Sequence, residues 1–281
     1  MSELALHRVS RVMSAQEEAD ELGKDVPYLE PNLTHPAIVL DENDEVLLIY
    51  APFPGNVAEL RNAVRRIPMA STYRGAGIRN LSRTFGRSPK KVMLKREGCQ
   101  NTTTARDYPD QHEVLVRAAA ALKEQFRELL PEQVALDEEV VSQIDNDWRL
   151  HPASLWSSGV INLSSALPYH YDRSNFESWS AMPVVRRGIR GGCLNLPAYN
   201  LTVECRDGMV VYFPGWKVLH GVTPIKRVQP DAYRYSIVYY ALRGMKDCAS
   251  IAVEAGLARK RRTEREQIMA EKVTEGERNT Q

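Results

Sequence analysis

From residue 159 to residue 241 the chain is a succession of short apolar runs separated by turn residues, and this feature most restricts the fold it can adopt. The runs fall at 159–163, 181–185, 192–196, 201–205, 209–213, 218–220 and 234–241. They are rich in Val, Ile, Leu, Tyr and Phe and too short for helices, so they read as strands at the spacing of a sandwich or barrel. Helical periodicity lies before them. Asn56 is placed to cap a helix running to about Ile67, with Val57, Leu60, Val64 and Ile67 on one face. Residues 111–130 repeat apolar positions at helical spacing (Val114, Ala118, Ala121, Leu122, Phe126, Leu129) until Pro131 stops them, and a second helix is predicted over 132–148. Apolar runs at 37–40 and 45–50 around Asp41-Glu-Asn-Asp44 predict a β-hairpin.

The expected fold class is α+β, a double-stranded β-helix (jelly-roll) core braced by helices. Residues 1–150 form an N-terminal helical and hairpin region, opening on a polar lead-in. Residues 151–250 form the core and 251–281 a charged tail, all within one structural domain. A chain of 281 residues is long enough to bury such a core. The net charge of +1 gives no whole-molecule field toward nucleic acid, so any such partner must be met by local charge. The densest is an acid-free segment, 72–96, with Arg74, Arg79, Arg83, Arg87, Lys90, Lys91, Lys95 and Arg96. Cys99, Cys193, Cys205 and Cys248 show no CxxC pairing, which argues against a structural zinc site and gives no disulfide framework. No stretch approaches the roughly 20 apolar residues of a membrane span, and the charged N-terminus is not a signal peptide. These features imply a reducing, cytoplasmic setting without a membrane or an evident protein partner.

The chemistry is carried by His170-Tyr-Asp172 and by His220, which ends an apolar run closed by turn residues. On a strand, residues two apart face the same way, so His170 and Asp172 are expected to point together, with His220 completing two nitrogens and one carboxylate from a neighbouring strand. That set leaves positions open for a chelating cosubstrate and dioxygen on Fe(II), although a zinc hydrolase or a cupin-like module could use the same ligands. Arg234 and Ser236 narrow the choice. They share a strand face fourteen residues beyond His220, and a guanidinium beside a hydroxyl is a receptor for the distal carboxylate of 2-oxoglutarate. Asn162, on an earlier strand, is a further candidate to face the cosubstrate or substrate, or to be a strand-edge amide.

With these residues in place, the stretches 167–176, 179–188, 191–199, 207–213, 220–224 and 234–240 resemble the TET/JBP family of nucleic-acid-modifying dioxygenases, particularly its short bacteriophage and bacterial members. The resemblance covers about a third of the chain and extends loosely to 82–86. It implies Fe(II), 2-oxoglutarate and dioxygen as cofactor and cosubstrates, with His170, Asp172 and His220 as catalytic metal ligands. Arg234 would anchor 2-oxoglutarate, and Ser236 would support it. It also implies hydroxylation, with possible further oxidation, of the 5-methyl group of a pyrimidine in DNA, 5-methylcytosine before thymine, in a bacterial or phage-infected cell. The chain departs from animal TET proteins in having no cysteine-rich zinc-binding insertions.

A methyl group inside a duplex cannot reach such a site, so the target base must be flipped out or single-stranded. Arg83, Lys90 and Lys91 in the basic segment are the candidate phosphate contacts, unless that segment is simply a solvated loop. Tyr171, Phe176 and Trp179 follow the metal motif and are candidates to stack on the base, although core packing is the commoner fate of such rings. The competing substrate class is a small molecule or free nucleobase, which the near-zero net charge favours.

Overall fold

Asp41 makes the predicted hairpin: its carboxylate accepts the backbone N–H groups of Asn43 (2.8 Å) and Glu45 (3.0 Å), and Asp44 takes a φ of +64°. The computed structural model, which describes residues 4–74, 78–91 and 98–278, builds outward from that turn. β1 (Ala5–Arg8) precedes α1 (Ala15–Glu21) and lies parallel to β2 (Ala37–Leu40), which pairs with β3 (Val46–Pro52). Asn56 caps α2 (Val57–Arg66) by accepting the Glu59 N–H at 3.0 Å. β4 (Ala70–Arg74), β5 (Ile78–Ser88) and β6 (Gln100–Asn101) lead to α3 (Thr103–Asp107), α4 (Pro109–Leu129) and α5 (Pro131–Val141). The second half supplies β7 (Ser158–Leu163), β8 (Leu167–His170), β9 (Ser180–Arg187), β10 (Ile189–Gly191), β11 (Leu194–Leu196) and β12 (Leu201–Val203). It continues with β13 (Met209–Phe213), β14 (His220–Val222), β15 (Ile225–Arg227), β16 (Tyr233–Tyr240) and α6 (Ile251–Arg278).

The strands form a large sheet in the order β1-β2-β3-β13-β9-β16-β7-β5-β4, with β6 on β5, a small sheet in the order β12-β11-β14-β8, and a separate antiparallel pair, β10-β15. From β7 onward the chain passes between the two sheets: β7, β9, β13 and β16 lie in the large one, and β8, β11, β12 and β14 in the small one. This is a double-stranded β-helix. Residue alternation sorts the two faces of the large sheet. Ile161, Val210, Tyr212, Ile237 and Tyr239 pack against Leu115, Leu122 and Phe126 of α4. The Tyr212 and Tyr239 hydroxyls donate to the carbonyls of Leu122 and Leu115, both at 3.1 Å, so each buried phenol is satisfied. Val184, Val211 and Phe213 point the other way, against Leu194, Leu196, Leu201 and Val203 of the small sheet. The β9–β16 ladder is interrupted near Pro183, which has no N–H to give: pairing runs from Tyr233–Arg187 to Ser236–Val184 and resumes at Tyr239–Ala181.

The solvated-loop alternative for the basic segment falls for residues 78–88, which form β5, antiparallel to β7 over six residue pairs from Leu81–Leu163 to Gly86–Ser158. Two expectations are corrected. The helix expected over 132–148 stops at Val141, with only a 3-10 turn at Asn146–Trp148. Cys99 and Cys248 form a disulfide across 149 residues, so half of the cysteines are paired although their spacing offers no framework. No helix among the described residues is long and apolar enough to cross a membrane.

The edge of the small sheet is not bare. Gly23 N–H donates to Tyr169 O at 2.8 Å, and Tyr169 N–H returns to Lys24 O at 2.9 Å. Below this strap, Val26 and Leu29 pack on Tyr169 and Leu219, and the buried Glu18 carboxylate accepts from the Tyr171 hydroxyl at 2.9 Å while pairing with Arg11.

Candidate functional site

His170 ends β8 and His220 begins β14, and the two are direct cross-strand partners, which brings their ring centroids to 4.4 Å. Asp172 joins them from the loop after β8, not from the strand itself as the two-residue spacing predicts. Its position is fixed instead by its backbone, the N–H donating to Gly215 O at 2.9 Å. One ligand atom from each of the three lies within 4.8 Å of the others. His170 Nε2 and His220 Nε2 lie 3.8 and 4.0 Å from the two Asp172 carboxylate oxygens.

The tautomers follow from the backbone. His170 Nδ1 is 2.8 Å from Pro168 O and His220 Nδ1 is 2.9 Å from Val218 O, and since a carbonyl only accepts, both Nδ1 atoms carry the proton. Each Nε2 lone pair is thereby turned toward Asp172, the orientation that metal-binding histidines obtain from such outer contacts. Burial, and next the neighbouring His170, push His220 down to about 4, so its ring is neutral near pH 7. Gly215 keeps the centre open: a Cβ there would stand 2.7 Å from Asp172 Oδ2 and 3.3 Å from His220 Cε1. Two imidazoles and a carboxylate on one side of a common point fit a divalent ion with positions left free.

These ligands face a cavity of about 390 Å³ between the sheets, within the range of small-molecule sites. Its floor is the inner face of the large sheet. Thr84, Val160 and Val238 form one row across β5, β7 and β16, and Ser82, Asn162 and Ser236 form the next. Asn162 and Ser236 line the cavity, and the Asn162 side-chain oxygen is buried without a hydrogen-bond partner.

Arg234 lies on the same face of β16, two residues before Ser236. It is fully buried, and none of its three guanidinium nitrogens has a hydrogen-bond partner. Burial pushes its pKa down, while the thiols of Cys205 and Cys193 rather than any carboxylate provide the nearby opposing influence. Gly192, at φ +68°, makes room for it, since a Cβ there would meet Arg234 Cδ at 2.7 Å and Nε at 2.9 Å. A buried guanidinium with no anion is costly. The donor set fits the carboxylate of a small acid.

No protein-family model and no curated protein sequence matches the chain. Solved structures do. That of NgTET1 in complex with 5mC DNA aligns over 87% of this chain and 84% of that one, with a TM-score of 0.56 at 15% identity. An oxidoreductase of the 2OG-Fe(II) oxygenase family from Burkholderia pseudomallei aligns over 86% of this chain and all of its own, with a TM-score of 0.49 at 14% identity. A Pseudomonas putida prolyl-4-hydroxylase covers 70% of this chain and 92% of its own at 16% identity, with a TM-score of 0.41. The likeness to NgTET1 is one of fold, the double-stranded β-helix described above.

Within that fold, several other expected contacts fall elsewhere. Phe176 and Trp179 are buried in the helix-side core, the Trp179 ring 5.6 Å from Phe126, and so are not stacking surfaces. Tyr171, by contrast, is only half-buried, its hydroxyl held by Glu18 and its side chain lining a groove beside the cavity. Arg83 pairs across the sheet with Ile161 and so faces the helices, its guanidinium 5.9 Å from the Tyr108 ring. Lys90 is committed to the buried Glu254 at 3.3 Å. Lys91, with Arg87, does line the cavity. Lys95 and Arg96 lie outside the described residues, as do the side chains of Arg74 and Arg79. Gly215 and its neighbours Trp216 and Lys217 were not singled out from the sequence; their signal is position, immediately ahead of the second metal histidine.

Proposed function

We propose that the protein is an Fe(II)- and 2-oxoglutarate-dependent dioxygenase that hydroxylates the 5-methyl group of a pyrimidine in DNA, 5-methylcytosine in preference to thymine. The observation that carries the reading is Arg234, a fully buried guanidinium without a partner on the face of β16 that floors the cavity below the His170, Asp172 and His220 cluster. A zinc hydrolase with the same ligands has no use for that cation, whereas a dicarboxylate reaching from the metal does.

His170 Nε2, His220 Nε2 and an Asp172 oxygen would hold the iron, and Arg234 would take the distal carboxylate of 2-oxoglutarate in a charge-assisted pair. Ser236 and Asn162 would flank that pair with further polar atoms. The chemistry that Fe(II), 2-oxoglutarate and dioxygen supply together in such a site is insertion of oxygen into a C–H bond, coupled to oxidative decarboxylation of the 2-oxo acid to succinate. The protein's own contribution is placement and dryness. Val160, Leu167, Leu194, Val222 and Val238 line the cavity and keep water from the reacting face. Asp172, fixed through its backbone, and two histidines of set tautomer present their donors without rearrangement.

The DNA substrate is supported by the fold shared with a protein solved in complex with 5mC DNA and by Arg87 and Lys91 at the cavity. A base admitted there must be extruded or unpaired. The test is incubation with Fe(II), ascorbate, 2-oxoglutarate and methylated DNA, followed by digestion to nucleosides and mass spectrometry. Hydroxymethylated cytosine is expected. Unchanged 5-methylcytosine and thymine alongside consumed 2-oxoglutarate would overturn the DNA substrate while leaving the oxygenase in place.

A further inference from the structure

Beside the cavity runs an open groove of about 510 Å³ lined by Tyr171, Arg173, Trp216, Lys217 and Arg243. Its position follows from the metal site. Tyr171 and Arg173 flank Asp172. Trp216 and Lys217 follow Gly215, whose backbone holds Asp172. Arg243 follows the cavity residue Leu242, and its N–H donates to the carbonyl of cavity residue Ser174 at 3.0 Å.

The groove carries three cations, and they are weakly spent. Arg243 reaches Glu177 only at 3.8 Å, with both side chains about half exposed or more, a pair of little energetic worth. Among the described residues no carboxylate pairs with Arg173 or Lys217; instead Arg173 sits 5.5 Å from the Tyr171 ring and Lys217 Nζ 6.0 Å from the Trp216 ring. Glu18, the other acid near this face, is already engaged by Tyr171 and Arg11. Each of two aromatic faces thus has a cation beside it, at the rim of the cavity that holds the His170, Asp172 and His220 cluster.

We propose that this groove binds the nucleotides flanking the target in a single-stranded or locally opened nucleic acid, its cations on the phosphates and Tyr171 and Trp216 under the bases. Alternating rings and cations suit a single strand because every base has a π-face and every nucleotide a charge, and stacking of this kind is worth about 1–3 kcal/mol per base. The inference deepens the DNA reading of the cavity and rests on it for the identity of the strand. It also relocates the DNA contact, from the Arg83 and Lys90 of the basic segment to the chain around Asp172 and Gly215.

The test is fluorescence anisotropy with a short, fluorescein-labelled, unmethylated single-stranded oligodeoxynucleotide, which needs neither iron nor turnover. The Arg173→Ala/Lys217→Ala/Arg243→Ala variant is expected to bind at least about tenfold more weakly. Its slope of log affinity against log salt should fall by about 2, since each phosphate contact on a single strand contributes about 0.7. Oligonucleotide should also quench tryptophan emission, an effect lost in Trp216→Phe, because Trp148, Trp156 and Trp179 are all in the core. Arg117→Ala, on the far helix α4, serves as the control of unchanged affinity. Wild-type affinity and salt slope in the triple variant would overturn the groove. Weakened binding by that variant, with no methyl oxidation by the wild type, would instead keep the groove and reject the reaction.

Discussion

Arg234 shows how much a single residue can reveal about a site. Its place two residues before Ser236 was legible in the sequence because strand alternation needs no tertiary information; that all three of its nitrogens lack partners was not, since that depends on what the other strands bring. An uncompensated buried cation destabilises the ligand-free fold, and replacing such a group with a well-packed apolar one is often neutral or favourable by 1–4 kcal/mol. Arg234→Met is therefore expected to raise the denaturation midpoint without ligand by about 1–2 kcal/mol equivalent, and to lose the stabilisation that added 2-oxoglutarate gives the wild type. Denaturant titrations with and without 2-oxoglutarate report both effects, and a destabilised apo variant would contradict the account. For the metal ligands the expectation differs. His170→Ala and Asp172→Ala should each lower turnover more than about 100-fold, beyond the 10–100-fold typical of outer contacts, with circular dichroism unchanged; activity near wild type in either would mean another ligand set. The motif predicted the membership of this trio, but not that Asp172 hangs from the Gly215 carbonyl, a contact 43 residues away along the chain.

Among the elements, β5 and β8 are shaped by the cavity, and of the two only β8 was expected, from its metal motif and not from an apolar run. β5 reads Ile-Arg-Asn-Leu-Ser-Arg-Thr-Phe and contains no apolar run, because its inward residues Ser82 and Thr84 sit on a polar floor beside Asn162. β8 holds a proline and ends on a metal ligand, so its pattern belongs to the site and not to a core. α2, α4 and the hairpin, which obey caps and periodicity, were legible, whereas the end of α5 was not. α5 also carries a pH-sensitive contact. Asp137 is fully buried and accepts the Trp179 N–H at 2.8 Å and the Gln133 side-chain amide at 2.8 Å, yet burial raises its pKa from 3.8 to about 6. A raised folded-state pKa means that the folded protein holds the proton more tightly, so this contribution is complete below about 4 and lost as pH rises through 6. Two units correspond to at most about 3 kcal/mol. Relative to wild type, Asp137→Asn should gain stability by up to that amount between pH 4.5 and 7.5, read from urea unfolding at both; a difference that does not change with pH would place the ionisation elsewhere.

At the scale of the whole molecule, the two ends of the chain are fastened to the middle. The Cys99–Cys248 disulfide closes a loop of 149 residues that contains every metal ligand. Its partners are too far apart in sequence for any spacing rule to join them. Constraining so long a loop in the unfolded chain is worth about 3–5 kcal/mol in the chain-entropy picture. Cys99→Ser should therefore lower stability by roughly that amount under oxidising conditions and much less once the wild type is reduced; equal stability of oxidised and reduced wild type would show the bridge to be idle. At the other end, the strap at Gly23 and Lys24 occupies the hydrogen-bonding edge of β8. Exposed strand edges template pairing with other chains, and natural sheets cover them. A protein begun at Asp25 is thus expected to self-associate through the freed His170 strand and to lose metal affinity in step. Size-exclusion profiles and iron titrations of the shortened chain would rise and fall together, and a monomer of full affinity would remove the strap from both roles. Solubility and metal binding would then have one origin: the backbone atoms that silence this edge as a docking strand also hold it still as a ligand.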